Sequence, residues 1–167
     1  LRAGLASGRT AIAGPTLLDT SAQRTRLAGE VPATSPAELG LPPSTTRADA
    51  FAVAAAVAAC REARLDPASG TVGVYFGGST AGMAECEDFV GRLLGVRAGR
   101  PRLAQLAAQQ VNAPGDAVAR KLGLCGPVVT VSSACASGGL ALGLAFEALL
   151  SGEVEVALAG GADALCQ

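Results

Sequence analysis

Hydrophobic and polar positions alternate between two regimes along this chain. Residues 1–43 carry scattered apolar positions broken by Pro15, Pro32, Pro36, Pro42 and Pro43, which predicts loops, with a short helical start over 1–7 stopped at Gly8 and an extended stretch over 25–31. From residue 46 onward the periodicity is regular. Thr46 with Asp49 three residues later is a capping-box signal, and Ala50, Val53, Ala54, Val57 and Ala58 follow at helical spacing to about residue 64, where Asp66-Pro67 closes the helix. Residues 71–77 form a near-continuous apolar strand that runs into Gly77-Gly78-Ser79-Thr80-Ala81-Gly82. Glu85, Glu87 and Asp88 suit the positive end of the next helix, with Phe89, Leu93 and Leu94 on its inner side.

The remaining pattern predicts a helix over 103–111, an interruption at Pro114, resumption over 116–122 and a stop at Gly123. A Val- and Thr-rich strand follows over 127–133, then a helix over 136–150 whose Leu140, Leu144, Ala148 and Leu149 make one apolar face, then a strand over 154–159. Apolar strands without polar alternation, separated by helices, predict an α/β class with a mainly parallel sheet covered on both faces.

Composition narrows the function. With 13 Lys and Arg against 14 Asp and Glu, the formal net charge is −1, which gives no electrostatic footprint for nucleic acid or an anionic membrane. Aromatic residues make up 3% of the chain, too few for base-stacking platforms. No apolar run reaches about 18 residues without a charge, Gly or Pro, so no membrane span is expected. Histidine is absent, so the chain holds no Ser–His or Cys–His pair and no His-ligated metal site. Five cysteines, with no CxxC pair, argue against a disulfide framework or a zinc ribbon and point to a reducing cytoplasm. The chain begins at Leu1 without Met and ends at Gln167 just after a strand-like segment; it is expected to be a fragment.

One segment carries chemistry. Val131-Ser132-Ser133-Ala134-Cys135-Ala136-Ser137-Gly138-Gly139 ends a buried strand, turns within a few residues and opens a helix. Such a turn projects its side chain from the C-terminal edge of a sheet, as a nucleophile elbow does for serine. The helix N-terminus favours thiolate over thiol, and the Cys135 amide is placed to face a developing oxyanion. The competing reading is that Cys135 is a small buried hydrophobe, which is the reading given to Cys60, Cys86, Cys125 and Cys166. Residues 77–82 lack a GxGxxG pattern and a Walker lysine, so they read as a tight turn rather than a phosphate cradle. Gly160-Gly161-Ala162-Asp163 is a small-residue loop at a strand end, where ligands gather in open α/β sheets; Asp163 is assigned no chemistry. Residues 97–102 read as a solvated basic loop.

The Cys135 segment resembles the active-site segment of β-ketoacyl-[acyl-carrier-protein] synthases, condensing enzymes of thiolase fold. Other stretches resemble that family in the same order. Leu5-Ala6-Ser7-Gly8-Arg9-Thr10-Ala11-Ile12 is similar to an early "LxxGRSGI" stretch, and Arg26-Leu27-Ala28-Gly29-Glu30-Val31 to the segment after it. Residues 46–64 with Leu65-Asp66-Pro67 look like the helix before the second core strand, and residues 77–83 stand at the family's Gly-rich loop. Asn112 sits in a stretch similar to "VNM", and Arg120-Lys121-Leu122-Gly123-Leu124-Cys125-Gly126-Pro127 resembles the approach to the catalytic strand. Ala159-Gly160-Gly161-Ala162-Asp163-Ala164 is similar to "AGGxEA", with Asp163 where Glu is common.

The resemblance implies a thiolase-like layered fold for residues 1–167, without the family's first strand and C-terminal half. It implies Cys135 as acyl-accepting nucleophile, its amide as half of an oxyanion hole, and Thr80 as a residue lining the acyl pocket. It also implies acyl carrier protein bearing acyl and malonyl thioesters as partner, a homodimer paired through residues 128–132, and no cofactor or metal. Two histidines and a lysine that assist decarboxylation in the family belong to the second half, so the chain alone is expected to be inactive. Three other readings stand beside this one: a thiolase acting on acyl-CoA, a non-catalytic partner subunit of a ketosynthase heterodimer, and an inert α/β fragment.

Overall fold

The computed structural model describes residues 4, 6–31, 34–67, 70–107 and 109–164. The chain divides into two compact units, 1–33 and 34–166. In the first, β1 (Ile12–Ala13) pairs antiparallel with β2 (Ala28–Gly29), and the Glu30 carboxylate accepts from both the amide and the hydroxyl of Thr16.

The second unit holds the elements α1 (Arg47–Ala63), β3 (Val72–Gly77), α2 (Met83–Leu93), α3 (Ala104–Ala107), α4 (Ala113–Leu122), β4 (Val128–Val131), α5 (Ser137–Ser151) and β5 (Val156–Gly161). Its sheet has the order β4-β3-β5, and both pairings are parallel, with Val74 opposite Val128 on one side and Leu158 on the other. All six residues of β3 are buried, as a central strand covered on both faces requires. Successive side chains of β3 serve opposite layers. Val74 and Phe76 pack with Ala52 and Val53 of α1 and Ala117 and Val118 of α4, whereas Tyr75 packs with Ala141, Ala145 and Ala148 of α5.

The capping box of α1 forms as its spacing predicts. Thr46 Oγ1 accepts from the Asp49 amide at 3.1 Å, and Asp49 Oδ2 accepts from the Thr46 amide. The helix ends on Arg64 in the left-handed region, at φ 52°.

Four expectations need correction. Helix α2 buries Phe89, but Leu93 and Leu94 are 62% and 71% exposed, because the helix ends there and the chain turns back through Gly95 at φ 73°. The helix expected over 103–111 is the single turn Ala104–Ala107. Pro114 does not interrupt α4 but sits in its first turn, where a missing amide costs no intrahelical bond. On α5 the face turned to the sheet is the small one, Ala141, Ala145 and Ala148; Leu140, Leu144 and Leu149 are 45%, 41% and 43% exposed. Only small residues fit, because α5 begins in backbone contact with β3: a Cβ on Gly77 would collide with the Ser137 carbonyl and, at 2.7 Å, with the Gly138 amide.

The stretch Ala134–Ser151 has the length and hydropathy of a membrane span. Here it is the crossover between β4 and β5, which pair with the same strand β3, and its alanine face lies on that sheet.

Candidate active site

Strand β4 hands over to α5 through Ser132 and Ser133 and one 3₁₀ turn, Ala134–Ala136. Cys135 sits in that turn and is exposed in this chain, outside its core clusters. The residue before it, Ala134, has φ 46°, a left-handed conformation that costs an L-residue about 1 kcal/mol or more. A conformation of that kind persists only where its surroundings hold it.

The holding groups are hydroxyls. Ser137, 3% exposed, accepts from the Ser133 amide at 2.8 Å and donates to the Ala134 carbonyl at 2.7 Å. The Ala134 carbonyl also accepts from the Ser137 amide and, at 3.4 Å, from the Ser79 hydroxyl. Ser137 thus closes the turn from inside, while Ser79 reaches it from the loop after β3. Sequence reasoning missed both roles. The available signal was the hydroxyl two residues beyond the cysteine, since a buried serine at a helix start finds a backbone partner.

Helix α5 has no side-chain cap. Its backbone dipole therefore points, uncompensated by any capping side chain, at the turn that carries Cys135. That arrangement favours negative charge on an oxyanion formed beside the turn.

Thr80 lies in the loop after β3, half-buried, with its hydroxyl directed at the Asp163 carboxylate at 3.0 Å and Ala164 carbonyl at 3.4 Å. Burial pushes the Asp163 carboxyl up, but hydrogen bonds from the amides of Thr80, Ser79 and Ala81 outweigh it and hold the group below the usual carboxylate range. The other cysteines vary. Cys60 is buried, and burial pushes its thiol up, as the packing reading requires; Cys86 is half-buried. Cys125 is exposed, because it lies in the turn between α4 and β4 rather than in the core. Cys166 and the start of the expected 1–7 helix lie outside the described residues.

Comparison with known proteins gives this geometry its family. The sequence model described as "Beta-ketoacyl synthase, N-terminal domain" matches residues 2–167. A Streptomyces cyaneus protein named as a polyketide beta-ketoacyl synthase is 36% identical over 174 residues, covering 95% of this chain and 40% of the relative. Among solved structures, the ishigamide ketosynthase/chain length factor superposes with a TM-score of 0.84 at 29% identity, over 99% of this chain and 43% of that one. A beta-ketoacyl synthase from Burkholderia phymatum STM815 gives 0.77 at 28% identity, over 98% and 42%. The chain therefore spans about two fifths of the proteins it resembles, and its α/β layers are the ketosynthase, thiolase-like fold in part. The chain belongs to the β-ketoacyl synthase N-terminal domain family.

Proposed function

We propose that this chain is the nucleophile-bearing half of a polyketide-type β-ketoacyl synthase. Cys135 Sγ attacks the carbonyl of an acyl thioester on a carrier protein; the new S–C bond forms, the carrier's S–C bond breaks, and the carrier thiol leaves with a proton. The α5 dipole stabilises the attacking thiolate, and the Cys135 amide stabilises the oxyanion of the tetrahedral intermediate. A malonyl thioester then loses CO2, its α-carbon attacks the acyl carbon, and Cys135 departs as thiolate. Groups that hold the enolate come from outside these 167 residues, which contain no histidine. The observation that carries this reading is the exposed Cys135 in a strained turn at the uncapped start of α5. A free thiol at Cys135 fits a reducing cytoplasm.

The proposed partners are an acyl carrier protein and a second ketosynthase-type chain across the edge strand β4, a copy of this one in a homodimer. The ishigamide neighbour, a ketosynthase/chain length factor, favours a second reading, a non-catalytic subunit of such a pair. The presence of Cys135 argues for the catalytic role.

Intact-mass measurement tests this. Incubated with a hexanoyl carrier-protein thioester, the full-length protein should gain one acyl group on Cys135, and Cys135→Ala should gain none. Faster transfer from hexanoyl-CoA than from the carrier protein would favour the thiolase reading. Iodoacetamide labelling of Cys135 no faster than that of Cys125 would sink the nucleophile.

A further inference from the structure

Asp163 takes no part in the chemistry proposed above, yet its carboxylate gathers three consecutive backbone amides. Oδ1 accepts from the Ser79 amide at 2.9 Å, the Thr80 amide at 2.7 Å and the Ala81 amide at 3.2 Å, besides the Thr80 hydroxyl at 3.0 Å. Oδ2 accepts from Ser79 as well, at 3.1 Å. Successive amides that converge on one point, with a left-handed residue among them, form a nest for an anion. Here the left-handed residue is Ala81, at φ 41° and 1% exposed, and the anion is a side chain of the protein itself. Charge-assisted bonds of this kind are stronger than neutral ones, and they offset the backbone strain at Ala81.

The other side of the same loop touches the nucleophile turn. The Ser79 hydroxyl donates to the Ala134 carbonyl at 3.4 Å, and the Gly78 amide donates to the Val131 carbonyl at 3.3 Å. Ala134 is the strained residue that presents Cys135. Ser79 thus links the two: its hydroxyl reaches the carbonyl of strained Ala134, and its amide is held by the Asp163 carboxylate.

We propose that Asp163 is a positioning residue for Cys135: by seating the amides of residues 79–81 it holds the Ser79 hydroxyl on the Ala134 carbonyl and fixes the turn that presents the sulfur. The inference rests on the reading of Cys135 as nucleophile, and it deepens that reading by naming what orients the nucleophile. The lowered pKa of Asp163 keeps the anchor ionised at neutral pH.

The test uses the full-length protein, a hexanoyl carrier-protein thioester as donor, and the variants Asp163→Asn, Asp163→Glu, Ser79→Ala and Asp163→Asn/Ser79→Ala. Single-turnover acylation of Cys135 is measured beside hydrogen exchange of residues 132–138. Asp163→Asn should slow acylation about tenfold to a hundredfold, with donor KM unchanged and faster exchange in that segment. Asp163→Glu should restore part of the rate, and the double variant should be no slower than Asp163→Asn alone, because both changes cut one linkage. Acylation by Asp163→Asn within about twofold of wild type, or single effects that multiply, would overturn the positioning role. Should Asp163→Asn fail to fold, Ser79→Ala carries the same test through its rate and exchange. A wild-type protein never acylated at Cys135 would remove the nucleophile reading instead, and hydrogen exchange alone would then decide whether Asp163 holds the turn.

Discussion

Two helices of this molecule start in opposite ways. Helix α1 opens on a closed device: the Thr46 hydroxyl and the Asp49 carboxylate each take a backbone amide, and both residues are buried. Helix α5 opens on Ala136 with no side-chain cap, behind a turn whose hydroxyl bonds serve Ser133 and Ala134 rather than the helix amides. The first start spends its polar groups on stability. The second spends them on the shape of the turn and leaves the positive end of the helix directed at Cys135. The hydroxyls thus close the helix itself in α1 and the turn ahead of the helix in α5.

The comparison can be broken most severely at Gly77. Gly77→Ala places a methyl group against the backbone where α5 begins, which should cost about 2–3 kcal/mol in a urea titration and also slow alkylation of Cys135. Ser137→Ala comes next. It strips the Ser133 amide and the Ala134 carbonyl of a partner, so stability should fall by about 1–2 kcal/mol and iodoacetamide should react with Cys135 about tenfold more slowly. Thr46→Ala should cost about 1 kcal/mol while leaving the Cys135 rate at its wild-type value; a slowed rate would mean that the two starts are not separable.

The smallest effect is a pair of opposite pH slopes. Burial raises the Asp49 carboxyl, whereas the amides of residues 79–81 lower that of Asp163 against its own burial, both from 3.8. Asp163 therefore contributes stability that is present above pH 3.8 and lost as pH falls through its lowered value. For Asp49 the contribution is present below pH 3.8 and lost as pH rises through the raised value. Urea midpoints from about pH 3 to 7 should show wild type gaining on Asp163→Asn as pH rises, and Asp49→Asn gaining on wild type. Parallel slopes would erase the distinction.

What the sequence made legible follows from range. The capping box, the Gly123 stop and the strand–turn–cysteine–helix order depend on residues a few positions apart, and each appears as read. The family assignment was legible too, since its motifs come in order along residues 2–167. The inner face of α5 was not. Leucines at helical spacing suggest a core stripe, but which face meets the sheet is decided by how closely β3 lets the helix approach, and Gly77 allows only alanines. Asp163 was likewise silent, because its meaning depends on the loop after β3, far away in sequence, presenting three amides to it. A short acid after two glycines looks the same whether it meets solvent or a nest.

The position of β3 has a consequence for how the chain is made. Both its neighbours are later strands, and Val72 must wait for Val156 before its second ladder can close. During synthesis at about 5–20 residues per second, this wholly apolar ribbon leaves the ribosome seconds before either partner exists. Such delayed, long-range pairing is slow and leaves sticky edges bare, so yield in a cell should depend on chaperones and on temperature during translation more than the finished sheet would suggest.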